Sequence, residues 1–305
     1  MDKPTVSVCM IAYNHGAYIA EAIAGVLMQK TNFTVEVVIS NDASSDNTQN
    51  IINELAVDTK TIKFRVFDHT DNLGMMPNFI FTLKACRGKY IALCEGDDYW
   101  TDPLKVQKQV DFLEANPEYS ICFHEAEVLW SQKENAQPIE LNSQFRWNKM
   151  SVNKSDYTIA DVLNGPFMAT ASVVYRNPYI EKYPKWFLKA ASGDITLYAL
   201  ITGDQKIKFM NEVMCVYRRN PGGVTRFHKG NGIILNRLQT LKHINSYHNN
   251  KYLPLVRTSV SNYLGEIKSM KLQEYLILLR LYLTSDIVER KYLISFFKKG
   301  LKKLI

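Results

Sequence analysis

Tyr90-Ile-Ala-Leu-Cys-Glu95-Gly-Asp97-Asp98-Tyr-Trp-Thr-Asp102 is the stretch on which the reading of this chain turns. Its first residues, Tyr90 to Leu93, have the length and apolar composition of a buried strand. The run then ends in acid, with Glu95, Asp97 and Asp98 almost adjacent. Carboxylates crowded at the end of a buried strand raise each other's pKa. A divalent cation relieves that repulsion, and oxygen-only donors suit Mg²⁺ or Mn²⁺. An Asp-Asp pair taken alone fits a solvated acidic turn equally well. Its position favours a site, because open α/β sheets bind ligands beyond the carboxyl ends of their strands.

On the N-terminal side, strands and helices alternate. Thr5 to Ala12 reads as a buried strand by its β-branched content, Tyr18 to Gln29 has helical apolar spacing, and Thr34 to Ser40 is a second strand. A helix through Leu55 follows, capped by Ser45 or Asp46; then come a strand at Ile62 to Phe67 and a helix at Phe79 to Ala85. This order predicts an α/β fold, a Rossmann-like and mostly parallel sheet flanked by helices. On the C-terminal side the spacing predicts a helix over Leu104 to Ala115 and strands at Ser120 to Val128 and Ala169 to Tyr175. A helix over Ile180 to Ala190, another from Asp194 to Ile201, and short strands at Ile207 to Met210 and Val213 to Tyr217 complete the domain. Trp130 to Asp156 is polar and irregular, either an acceptor-side lid or a tolerated excursion.

Composition narrows the class. The 305 residues are 46% hydrophobic and 22% charged, ordinary for a globular protein. Five dispersed cysteines without a Cys-x-x-Cys read as core residues of a cytoplasmic protein. No leader pattern precedes the first strand, and no apolar run reaches the roughly 20 residues of a spanning helix. The net charge is +7, and from Lys268 to Ile305 nine Lys/Arg face three Asp/Glu. The nearly neutral remainder argues against a nucleic-acid-binding core, whereas the basic tail suits an anionic partner.

Three loops fall at the carboxyl ends of predicted parallel strands: Tyr13-Asn14, Asn41-Asp42 and Asp97-Asp98. Together they suit a nucleotide. Tyr13 can pack on a base, Asp42 can accept from its imino N–H, Asp97 can accept from a ribose hydroxyl, and Asp98 can ligate a metal on the diphosphate.

The runs Val-Ser-Val-Cys-Met-Ile-Ala-Tyr-Asn, Ile-Ser-Asn-Asp-Ala-Ser-Ser-Asp-Asn-Thr, Asn72-Leu-Gly74 and Glu-Gly-Asp-Asp-Tyr-Trp-Thr-Asp-Pro, in that order, resemble glycosyltransferase family 2. The resemblance is continuous from Pro4 to about Pro117 and patchy to about Val224. It implies the GT-A fold and an inverting, direct displacement on a nucleotide-sugar donor, a UDP-sugar by family habit. A divalent cation, Mn²⁺ or Mg²⁺, would be held by Asp98. It also implies donor contacts from Ala12, Tyr13, Asn14, Asp42, Asn72 and Asp97. The acceptor would be a growing polysaccharide or a lipid-linked oligosaccharide. Three departures stand out: Asn41 replaces the first of two usual acids, Pro77-Asn78 replaces an Arg-Asn pair, and Asn220 occupies the place of a histidine.

Displacement by a sugar hydroxyl requires a base. Ser192-Gly193-Asp194-Ile195 resembles the family's base motif and makes Asp194 the candidate, although a helix-starting Asp also serves as an N-cap. Tyr217 to Val224 resembles a segment that closes over the diphosphate, with Arg218 as a planar fork for phosphate oxygens. A sugar nucleotidyltransferase is disfavoured because Ala12 to Ala17 is not a basic Gly-rich loop. A catalytically silent nucleotide-sugar-binding protein is disfavoured by the joint presence of Asp42, Asp97, Asp98 and Asp194.

The expected organisation is a catalytic domain over residues 1–228 and a helical extension over 229–305. Tyr275 to Leu283 reads as a packed helix. The last helix places Leu293, Phe296, Phe297, Leu301 and Leu304 opposite Lys298, Lys299, Lys302 and Lys303. That pattern fits an interfacial helix on anionic lipid at the cytoplasmic face, or a domain helix with a solvated basic face.

Overall fold

The computed structural model describes residues 3–130, 154–178, 183–219, 230–267 and 269–301. The expected parallel half-sheet is present. It consists of β1 (Val6–Ala12), β2 (Val35–Asn41), β3 (Ile62–Asp68) and β4 (Tyr90–Leu93) in the order β3-β2-β1-β4. β1 and β2 are buried almost throughout, as their largely apolar, Val/Ile-rich sequences require for inner strands covered on both faces. β3 alternates Lys63, Arg65 and Asp68 with apolar residues and forms an edge. Helices α1 (Ile19–Leu27), α2 (Thr48–Leu55) and α3 (Met75–Ala85) connect these strands.

Beyond β4 the sheet becomes mixed. After β5 (Tyr99–Trp100), α4 (Lys105–Ala115) leads into β6 (Tyr119–Trp130). β7 is Asp156–Tyr157, β8 is Val174–Arg176 and β9 is Lys206–Arg219. β8 lies antiparallel between β4 and β6, β6 runs parallel to β9, and β5 and β7 pair antiparallel to β9. The two short strands expected at 207–210 and 213–217 are one strand, β9. Its register against β6 shifts near His124 to Ala126, and this irregularity is what divides the apolar pattern in two. The expected strand at Ala169 opens instead as a 3-10 turn, Thr170–Ser172. Of the helix expected from Ile180, Lys185–Lys189 is a 3-10 helix, and residues 179–182 lie outside the described set. So does most of the loop from Trp130 to Asp156.

The chain divides into two compact units. The first, Met1–Thr158, Pro166–Tyr183 and Asp204–Pro221, contains the sheet. Its core gathers Val6, Val8, Met10, Val37, Ile39, Tyr90 and Trp100. The second comprises Ile159–Gly165, Pro184–Gly203 and Gly222–Ile305. It is helical, with α5 (Ile159–Leu163), α6 (Gly193–Thr202), α7 (Asn231–Tyr247), α8 (Leu253–Gly265), α9 (Leu272–Thr284) and α10 (Arg290–Leu301). It thus draws in Ile159–Gly165 and Pro184–Gly203 from within 1–228 and begins its last segment at Gly222, ahead of the expected boundary. All five cysteines are buried free thiols. Among the described residues no helix is long and apolar enough to cross a membrane.

Candidate active site

The three loops expected to converge are tied to one another by hydrogen bonds. The Asp42 N–H donates to the Ala12 carbonyl at 2.9 Å, and the Gly96 N–H donates to the Ile11 carbonyl at 3.0 Å. Asn14 sits at φ 54°, a left-handed conformation that asparagine tolerates. Its N–H donates to Ser44 Oγ at 2.9 Å, and its Oδ1 accepts from the Ser45 N–H at 2.8 Å. Asn14 therefore welds the first loop to the second. Asp46 adds a second weld, accepting from the Gly16 N–H at 2.9 Å and from the Thr48 N–H at 3.0 Å, although the N-cap position of α2 is Asn47 and not the expected Ser45 or Asp46. Beside these anchored neighbours Tyr13 is 49% exposed, a ring available for stacking.

Asp42 is buried and already engaged. Its Oδ1 accepts from the Leu73 N–H at 2.7 Å, and its Oδ2 accepts from the Gly74 N–H at 3.0 Å. Asn72 Nδ2 donates to the Asp42 carbonyl at 3.0 Å. One carboxylate thus fixes the turn into α3, and any base contact must use the lone pair each oxygen retains. The neighbouring Asn41 is also spent, donating to Gln49 and Asp68 and accepting from Ser44.

The acidic loop is held from β9. The main-chain N–H of Arg218 donates to Asp98 Oδ1 at 2.7 Å. Its guanidinium donates to the Asp97 carbonyl at 2.8 Å and to Glu21 at 2.6 Å, and lies 4.7 Å and 5.2 Å from the Tyr18 and Tyr99 ring centroids. Arg218 is thus not an open fork facing solvent; its side chain braces the loop. Asp98 is 1% exposed, and its Oδ2 is buried without a hydrogen-bond partner. Burial, and then the Asp97 and Glu95 carboxylates, push the Asp98 pKa well above the usual carboxylate range. An orphaned buried carboxylate oxygen among other acids is a donor set that fits a hard divalent cation. Among the described residues no three His, Cys, Asp or Glu side chains form a ready-made cage.

Helix α1 supports the same loop along one stripe. Glu21 grips Arg218. One turn on, Gly25 lies so close to β5 that a Cβ there would stand 2.8 Å from Trp100 N. Past the end of the helix, Gln29 donates to the Asp102 carbonyl at 2.8 Å and accepts from the Val106 N–H at 3.1 Å. Beneath Trp100 lies Lys105, wholly buried, with Nζ 4.2 Å from the indole centroid and donating to Gln109 at 2.8 Å. Burial pulls its pKa down to about 8. Nothing in the sequence singled out Lys105; its only signal was a cation at a position where α4 needs an apolar residue.

Asp194 belongs to the second unit, in the first turn of α6, where Ser192 is the N-cap residue. Asp194 Oδ1 accepts from the Ser192 hydroxyl and from the Ile195 N–H, the latter at 2.8 Å. Asn220 lies outside the described residues.

A parallel half-sheet carrying acid at its carboxyl edge is common to several enzyme classes; the family model settles which applies. The model described as Glycosyl transferase family 2 matches residues 7–183, more than half of the chain. The chain belongs to glycosyltransferase family 2. It is 38% identical over 229 residues to an uncharacterized protein of Mycobacterium tuberculosis, covering 72% of this chain and 60% of that one. It therefore spans about three-fifths of the length of that relative. An uncharacterized glycosyltransferase of Nostoc is 27% identical over 218 residues, covering 70% of this chain and 64% of that one.

Among solved structures, S. aureus TarS in complex with UDP-GlcNAc superposes with a TM-score of 0.57 at 12% identity, covering 97% of this chain and 92% of that one. A Pyrobaculum calidifontis mannosyltransferase in complex with GDP-Man and Mn²⁺ gives 0.54 at 15% identity, covering 99% and 88%. These likenesses identify the GT-A fold of the family 2 enzymes.

Proposed function

We propose that this family 2 chain is an inverting, divalent-metal-dependent glycosyltransferase. It moves a sugar from a UDP-sugar to a hydroxyl of a growing polysaccharide or lipid-linked oligosaccharide of the cell envelope. The observation that carries this reading is the orphaned, buried Asp98 Oδ2 at the carboxyl edge of the parallel strands. It is supported by similarity to fold neighbours bound to UDP-GlcNAc, UDP and GDP-Man with Mn²⁺.

Tyr13 stacks on the base, Asp42 accepts its imino N–H, and Asp97 accepts from the ribose. Ala12, Asn14 and Asn72 shape that pocket through the contacts between loops. A cation bound by Asp98, Mn²⁺ or Mg²⁺, would neutralise charge on the departing diphosphate. Arg218 orients the Asp97–Asp98 segment. Asp194 takes the proton of the acceptor hydroxyl as the new bond forms, a role worth roughly 10²–10⁴ in rate. Residues 1–228 form the catalytic domain in this reading. The helical extension over 229–305 places the enzyme at the cytoplasmic face of the membrane.

Calorimetric titration of UDP-, GDP- and dTDP-sugars, each with and without Mn²⁺, tests the donor half. Metal-dependent binding of one nucleotide class, lost in Asp98→Asn, is expected; binding of none would sink the proposal. Turnover tests the base, since Asp194→Asn should bind donor normally yet transfer slowly. Wild-type turnover would remove Asp194 from the mechanism.

A further inference from the structure

Helix α9 is the packed helix its composition suggested, but one of its faces lies outside that packing. Leu278 and Leu281 are buried, yet Leu272, Leu276 and Leu283 are 74%, 52% and 71% exposed. Spacings of four and seven put these three on one face. Singly exposed leucines are ordinary, but an aligned stripe marks an interaction surface. Beside the stripe, between α7 and α9, lies a recess of about 300 Å³ lined chiefly by Lys242, His243, Ile277, Arg280, Leu281 and Thr284. Lys242 Nζ donates to Thr284 Oγ1 at 2.8 Å, and the His243 ring stacks on Trp186 with centroids 5.2 Å apart and planes at 10°. Among the described residues no carboxylate is ion-paired with Lys242 or Arg280. The single acid of α9, Glu274, is turned back into the capping box, accepting from Lys271 N–H and Asn231 Nδ2.

We propose that this face docks on an anionic phospholipid bilayer, with the α9 leucines in the acyl boundary and a lipid phosphate in the Lys242–Arg280 recess. A leucine stripe alone would suit any apolar partner. Cations bordering it select an interface where hydrocarbon and phosphate lie side by side, as they do at an anionic membrane surface. The surplus of Lys/Arg from Lys268 onward acts in the same direction. On α10 Leu293 and Phe296 are buried, while the side chains at 297–301 and residues 302–305, which carry the rest of the expected amphipathic face, lie outside the described set. The surface stands on its own geometry and survives even if the sugar-transfer reading fails.

Co-sedimentation of the full chain with vesicles of phosphatidylcholine, alone or mixed with phosphatidylglycerol, tests it. The wild type should bind only the mixed vesicles. Leu276→Glu with Leu283→Glu, and separately Lys242→Glu with Arg280→Glu, should each weaken that binding roughly tenfold or more. Both pairs lie on exposed or partly exposed positions, so circular dichroism and thermal melting should match the wild type. Failure of the wild type to bind mixed vesicles, or unchanged binding in both variants, overturns the proposal. So does light scattering that shows a wild-type dimer and a monomeric leucine variant, which would make the stripe a contact between copies. Inorganic phosphate competing for the recess while the leucine variant binds vesicles normally would reduce it to a soluble-phosphate site and also overturn the proposal.

Discussion

Arg218 holds Asp98 with its main-chain N–H at 2.7 Å and the Asp97 carbonyl with its guanidinium at 2.8 Å, so one residue of β9 fixes both members of the acidic pair. Lysine at this position keeps the main-chain bond but cannot span the Asp97 carbonyl and Glu21 together. Arg218→Lys should weaken Mn²⁺-dependent donor binding by about 1–2 kcal/mol, roughly tenfold, with secondary structure intact. Calorimetry beside circular dichroism checks this. Glu21→Gln should retain most of the affinity and Glu21→Ala should not.

Asp98 gives a pH signature of definite sign. Its folded-state pKa is raised above 3.8, so the folded chain binds more protons than the unfolded one above that pH. Without metal, stability should therefore fall as pH rises from 3.8 toward the folded value. Metal must displace the proton, so affinity for Mn²⁺ should rise with pH, by up to about tenfold per unit. Asp98→Asn should remove both dependences. Urea unfolding and metal titration across pH read the two effects separately.

Gly25→Ala would place a methyl group against the backbone of Trp100. The backbone of β5 is paired with β9 and cannot yield as a flexible side chain would. A loss of about 1–3 kcal/mol is expected. Metal-dependent nucleotide binding should weaken with it, because Trp100 lies only two residues past Asp98. Chemical denaturation together with nucleotide titration would show the coupling.

Asp42→Asn should destabilise the fold before any ligand is added. The amide offers one acceptor oxygen to the Leu73 and Gly74 N–H groups that now share a carboxylate. Leaving one of them facing an NH₂ costs about 1–3 kcal/mol. A wild-type melting curve for this variant would show that the carboxylate serves the ligand alone.

Lys105 shifts stability in the opposite sense. Its folded pKa of about 8 lies below the ordinary 10.5, so the unfolded chain binds more protons in that interval. Its contribution to stability should rise as pH increases from about 8 to 10.5, and Lys105→Met should abolish that rise. The difference between the two unfolding curves across this window measures it.

The parallel half of the fold was legible because its physics is local. Runs rich in β-branched residues such as Val35 to Ile39, broken only by Glu36, read as inner strands, and Gly, Asn and Asp clusters at their ends mark the loops that meet there. The acids at 95, 97 and 98 were visible for the same reason. Which of those side chains remain open was decided only by tertiary structure. Asp42, Asn14 and Arg218 read as ligand contacts in sequence, yet each is already bonded to residues 30 or more positions away. No local pattern encodes where a hydrogen bond from a distant loop will land. Buried Lys105 and the outward leucines of α9 belong to the same class. Residue type and spacing set what a side chain can do, but the neighbours that satisfy it, bury it or leave it exposed come from elements remote in the chain.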